Sequence, residues 1–136
     1  MNAQSATATA AHSPSLILLR EDAGDVAILT LNRPQARNSL SEALLEALGE
    51  ALTAIADQRA VRAVIVTANG PAFSAGHDLK ELNGRRTDVD RGRAYFKHIM
   101  TMCSAMMQQI VTMPQPVVAA VQGTATSWQP AAVAVP

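Results

Sequence analysis

Cysteine, net charge, long apolar runs and the common catalytic signatures are all scarce or missing in this chain. One cysteine, Cys103, leaves no internal disulfide and fits a reducing compartment. No recognisable motif places a histidine beside it, so it reads as core filler rather than a catalytic thiol. The 11 Lys and Arg are balanced by 11 Asp and Glu. No basic face follows, which argues against nucleic acid as a partner. No apolar run approaches the roughly 20 residues that span a bilayer, so no membrane partner is expected. No Gly-x-x-x-x-Gly-Lys-Ser/Thr or Gly-x-Gly-x-x-Gly occurs, so the usual nucleotide phosphate loops are absent. Gly-x-Ser-x-Gly is missing too, which disfavours a serine hydrolase. The three histidines are scattered without further ligands at metal spacing, so no metal site is expected. No Lys or Arg precedes Arg20, unlike a secretory signal or a mitochondrial presequence. Residues 1–14 read as a disordered leader, and the expected location is cytoplasmic.

What is present suits one modest domain. Of its 136 residues, 49% are hydrophobic and 16% charged, enough for a buried core. Leu16 to Arg20, the turn residues Asp22-Ala23-Gly24-Asp25, and Val26 to Leu31 predict a β-hairpin. Pro34 breaks the second strand. Ser39 and Glu42 stand at capping-box spacing before Leu44, Leu45, Leu48, Leu52 and Ile55, so a helix is expected from about Leu40 to Asp57. The continuous run Ala63 to Ala68 predicts a strand buried on both faces. A second helix should end at Gly84. A third, over about Asp90 to Thr112, carries Phe96, Ile99, Met102, Cys103, Met106 and Ile110 on one stripe, with Met113 just beyond. That stripe is either core or one wall of a pocket for a flexible ligand. Val117 to Val121 predicts another buried strand. The order is that of an α/β fold.

The segment Phe73 to Leu82, FSAGHDLKEL, follows a buried strand and opens a helix. Unpaired N–H groups at such a start can bind an anion or a developing oxyanion. Gly76 lets the backbone turn and a ligand approach. The N–H of His77 is then a donor placed by the fold, and one such donor is worth about 10²–10³ in rate. The alternative is a plain strand-to-helix turn with Asp78 as a first-turn carboxylate.

Three motifs occur in order: Leu31-Asn32-Arg33-Pro34 with Asn38-Ser39-Leu40, then FSAGHDLKEL, then PQPVVAAVQG ending at Gly123. Together they resemble the crotonase superfamily, the enoyl-CoA hydratase/isomerase family, over residues 15–126. Within it they are most similar to the enoyl-CoA hydratase domain-containing members. The resemblance implies an N-terminal part of a crotonase-like ββα spiral, incomplete in this chain. It implies an acyl-CoA thioester as ligand, coenzyme A entering only as part of the substrate, and no separate cofactor. It places the first amide of an oxyanion hole at His77. Ala75 and Gly76 shape the substrate segment, and Asp78, Leu79 and Lys80 belong to it. Gln35, Ala36 and Arg37 fall where the family contacts the CoA adenine and phosphates. Arg33, Arg37 and Lys80 suit phosphates by charge, or are solvated surface.

Residues 127–136 form an atypical tail. Trp128 stands where the resemblance places a second oxyanion glycine, and Ala131 where it places a catalytic Glu. A hydratase needs carboxylates to position water, and none stands at the matching positions. A shifted reading frame, a natural short form or an altered ending would each produce this tail. The family forms trimers or hexamers, and the region that builds them is not expected here. Buried-strand runs left uncovered on one side predict marginal stability or self-association. The expectation is therefore an acyl-CoA-binding protein that stabilises a thioester enolate, or a catalytically inert binding or interaction fragment.

Overall fold

The computed structural model describes residues 16–126 and the short strand Val133–Ala134. The expected leader lies outside the described residues, as do Ser127, Trp128 and Ala131. The first two strands, β1 (Leu18–Ala23) and β2 (Val26–Leu31), pair antiparallel. The turn is tighter than the sequence suggests. Only Gly24 and Asp25 lie outside the strands, because Gly24 adopts φ 61° and reverses the chain at once.

Helix α1 (Glu42–Ala56) crosses back to β3 (Ala63–Ala68), which lies parallel to β2. A three-residue strand β4 (Ala72–Ser74), a six-residue helix α2 (Leu79–Gly84) and a long helix α3 (Arg93–Thr112) follow. Strand β5 (Val117–Ala120) then joins β3 in parallel. Strands β6 (Thr124–Ala125) and β4 make a separate two-stranded parallel sheet. Strand β7 (Val133–Ala134) adds to the open edge of β5, completing the order β1-β2-β3-β5-β7. The mixed α/β class is as expected. The Val133–Ala134 backbone can satisfy the ladder groups that β5 would otherwise leave unpaired on that edge.

Register explains the core. Leu29, Val66 and Ala119 align across three strands, as do Ala27, Val64 and Val117, and all six are buried. They face Leu44, Leu48, Leu52 and Ile55 of α1 and Ile99, Cys103, Met106 and Ile110 of α3. On the opposite face Ile28, Ile65 and Val118 align and are only half-buried. The run Ala63 to Ala68 is thus covered fully on one face, not both, because α1 and α3 pack on the same side. The Met-rich stripe is largely core, with one exception. Phe96 is 53% exposed, since it sits in the first turn of α3 beside Leu79 and Leu82 of α2.

The start of α1 also differs from expectation. Ser41, not Ser39, is the N-cap, and its hydroxyl accepts the Leu44 N–H at 3.2 Å. Ser39 is turned to Arg33 and Asp78 instead. Helix α3 starts at Arg93 rather than Asp90, because the Asp90 carboxylate accepts the N–H groups of Gly92 and Ala94 at 2.9 and 2.8 Å. Replacement Ser41→Ala is expected to cost about 1 kcal/mol and to speed hydrogen exchange at the Leu44 amide. Urea unfolding and exchange of the variant test this, and an unchanged Leu44 rate would contradict the assigned cap.

Candidate functional site

The loop between β2 and α1 is built around one side chain. Asn38 is fully buried and holds a left-handed φ of 52°. Its Oδ1 accepts the Arg33 N–H at 2.7 Å. Its Nδ2 donates to the carbonyls of Asn69 and Ala72 at 2.8 and 2.9 Å. One amide thereby joins the loop after β2 to the turn after β3 and to β4. Asparagine suits this place because it tolerates the left-handed region and offers both acceptor and donors.

The chain from Arg37 to Leu40 then runs beside Ala75 to Asp78. Ala75 donates its N–H to the Arg37 carbonyl at 2.9 Å, and Leu40 donates to Gly76 at 2.7 Å. Asp78 donates to Leu40 at 3.2 Å, closing a parallel bridge between Leu40 and His77. Ser74 Oγ donates to the Asn38 carbonyl and accepts the Gly76 N–H, inside a fully buried corner. Gly76 turns there with φ 83°. In a parallel bridge the bracketed residue's own N–H points away from its partner strand. The His77 N–H accordingly meets no acceptor among the described residues.

His77 borders an apolar groove of about 600 Å³ against α3. Met100, Cys103, Met107 and Val111 line it, with Ser104 and Thr112 at its polar edge. Met107 and Val111 are 39% and 65% exposed, so the groove is open. The stripe of α3 is therefore core on one side, while its neighbouring face forms a wall. His77 Nδ1 is shielded from water without a partner among the described residues. Burial raises the Cys103 thiol pKa, consistent with a packing role.

The candidate site residues fall into two groups, and the fold brings them together. Gln35 and Ala36 lie in a single 3-10 turn that starts at Pro34, and Arg37 follows in a left-handed conformation. The bonds of Arg37, Leu40 and Ser74 set that turn against Ala75, Gly76 and His77. Gln35, Arg37, Leu79 and Lys80 are exposed, and neither Arg37 nor Lys80 has an acidic partner among the described residues.

Arg33 and Asp78 are different. Arg33 donates to the Ser39 carbonyl at 2.6 Å and approaches the Asp78 carboxylate at 3.3 Å. The other Asp78 oxygen caps α2 by accepting the Glu81 N–H. The phosphate reading of Arg33 is thus displaced by an internal ion pair, whose side chains are only 18% and 11% exposed. Asp78 acts in the frame of the site, with both its oxygens engaged.

A second polar cluster escaped the sequence reading. Glu81 Oε1 accepts the Glu42 N–H at 2.8 Å and lies 3.3 Å from the Tyr95 hydroxyl. That hydroxyl also lies 3.0 Å from Glu42 Oε2, and His98 Nε2 lies 3.0 Å from Glu42 Oε1. Arg85 stacks over the Tyr95 ring at 4.5 Å. The contacts to His98 and Tyr95 hold the Glu42 carboxyl below its ordinary 4.5. Burial, together with the two carboxylates, pushes the Tyr95 phenol up to about 12. Only the i, i+3 pair Tyr95 and His98 hinted at this in sequence, since the carboxylates come from distant segments.

The motif order, this bridge and the groove can be set beside known proteins. The family model for enoyl-CoA hydratase/isomerase matches residues 21–127.

The chain belongs to the enoyl-CoA hydratase/isomerase family.

It is 38% identical over 114 residues to rat mitochondrial enoyl-CoA hydratase domain-containing protein 3, covering 84% of this chain and 36% of that one. It is 36% identical over 110 residues to a putative enoyl-CoA hydratase of Thermus thermophilus, covering 81% and 42%. Among solved structures, an enoyl-CoA hydratase of Mycobacterium smegmatis superposes with a TM-score of 0.69 at 46% identity, over 77% of this chain and 39% of that one. Human enoyl-CoA hydratase domain-containing protein 3 gives 0.71 at 34% identity, over 79% and 40%. The fold is thus a part of the crotonase fold. The chain spans about two-fifths of the length of the curated relatives it matches.

Two outcomes test the site's framework. Asn38→Ala strips partners from two carbonyls and one N–H, and is expected to cost about 2–4 kcal/mol. Urea unfolding measures it, and a loss below about 1 kcal/mol would contradict the role given to this amide. Because the Glu42 pKa is depressed on folding, its contribution is present above pH 4.5 and fades as pH falls through the depressed value. The stability gap between the wild type and Glu42→Gln should therefore narrow below pH 4.5, as read from urea midpoints against pH.

Proposed function

We propose that this chain binds acyl-CoA thioesters along the seam between residues 35–40 and 75–80. The observation that carries the reading is the His77 N–H, which the Leu40 bridge presents beside an apolar groove, without an acceptor among the described residues. A thioester oxygen is an acceptor that such a donor can hold, and negative charge developing there strengthens the bond. The acyl chain lies in the groove against Met100, Met107 and Val111. Arg37 and Lys80, exposed and without acidic partners among the described residues, meet the CoA phosphates. Coenzyme A arrives with the substrate and no other cofactor is required. Oxyanion stabilisation is the chemistry this arrangement supports, and an enolate of the thioester is the species it favours.

A second reading, binding without turnover, has its own support. The described carboxylates nearest this seam are already committed, Asp78 to Arg33 and Glu42 and Glu81 to Tyr95 and α1. Titration with crotonyl-CoA, beside an assay for loss of its conjugated thioester absorbance, separates the readings. Turnover supports the oxyanion chemistry, saturable binding alone supports the inert binder, and neither refutes both.

The backbone role of His77 has a sharper test. His77→Ala keeps the N–H and should hold crotonyl-CoA affinity within about threefold, whereas His77→Pro deletes the donor and should weaken it about tenfold or more. Equal affinities in two folded variants, checked by circular dichroism, would remove the amide from the site. Lys80→Ala should weaken binding about tenfold at low salt, with the difference shrinking as salt rises.

A further inference from the structure

Helix α2 has an unusual attachment for an element that carries candidate binding residues. It is six residues long and buries none of them fully. Only Leu82 packs partly against the core, while Leu79 is 73% exposed. Apolar burial therefore contributes little to its position, and its polar contacts must set its pose. There are two. Asp78 caps it internally. Glu81 reaches outward and accepts the Glu42 N–H at 2.8 Å. That N–H is the first of α1, one of the donors a helix start leaves unpaired, and it lies at the positive end of the helix dipole. Ser41 already takes the Leu44 N–H, so Glu81 serves as a second cap for α1 from a distant segment. The Tyr95 hydroxyl adds a contact from α3.

We propose that Glu81 is a positioning residue: its carboxylate clasps α2 to α1 and α3, and so fixes the aim of Lys80 toward an acyl-CoA thioester. The inference rests on the acyl-CoA reading above. A bond from the α1 terminus to residue 81 constrains a chain that began at His77 only four residues earlier. Released from it, residues 77–84 keep the Leu40 bridge at one end and the exposed Arg85 stack on Tyr95 at the other, with α2 between them free to shift. The reach is specific, because aspartate keeps the charge but loses one methylene and cannot span to Glu42. Glutamine keeps the oxygen acceptor and the length.

The test uses the full chain with crotonyl-CoA titration and, separately, amide hydrogen exchange without ligand. Glu81→Asp and Glu81→Ala should weaken affinity about fivefold or more and speed exchange across residues 77–84, leaving α1 beyond its first turn protected. Glu81→Gln should restore both to within about threefold of the wild type. Should Glu81→Ala fail to fold, Glu81→Asp carries the comparison. Wild-type affinity in Glu81→Asp, or unchanged exchange across 77–84, overturns the proposal. If the wild type itself fails to bind, the acyl-CoA reading falls, and the exchange pattern still decides whether Glu81 orders the segment.

Discussion

The buried amide of Asn38 is the constraint on which the rest of the site depends. Three backbone segments converge where β2 and β3 end and β4 begins, and each leaves polar groups that no ladder satisfies. Asn38 answers three of them, at Arg33, Asn69 and Ala72. An unpaired buried N–H or carbonyl costs about 1–3 kcal/mol, so the three together outweigh the modest strain of a left-handed asparagine. Once that residue is seated, the next two positions have little freedom. Leu40 must lie against Gly76 and Asp78, and the bridge that results turns the His77 N–H outward.

Strength and exposure are therefore separated in this molecule. The sheet and the inner faces of α1 and α3 form a dry layer of aliphatic and methionine side chains. The candidate site is hung on its edge by hydrogen bonds, most of them between residues more than 30 positions apart. Hydrogen bonds aim groups more narrowly than apolar contacts do, and here they set the direction of the His77 N–H. Arg33 and Asp78 illustrate the same division. Charges that look available in the sequence are consumed in holding the loops, while Arg37 and Lys80 stay exposed without an acidic partner among the described residues.

Much of the fold was legible from pattern. Leu44, Leu45, Leu48, Leu52 and Ile55 recur at helical spacing, and they are the buried face of α1. The strands β2, β3 and β5 stand where the apolar runs are. Boundaries were less legible because caps compete. Ser39 and Ser41 both fit a helix start by composition, and what separates them is that Arg33 and Asp78 already engage Ser39. Phe96 fits the stripe by spacing, yet the end of α3 extends past the layer that covers the others. The strands β4 and β6 are too short for any periodicity to announce them.

The sequence by itself determined the α/β order, the apolar faces of α1 and α3, the family, and the two segments that carry the candidate site. Those are properties of spacing within one stretch of chain, and local sterics and hydrophobic periodicity suffice to express them. Only the tertiary structure decided that Asn38 is the joint, that Arg33 is consumed by Asp78, and that Glu81 reaches the start of α1. Each of these is a contact between segments far apart in the chain. Which donor meets which acceptor there is set by strand register and helix placement, and no single segment contains that information.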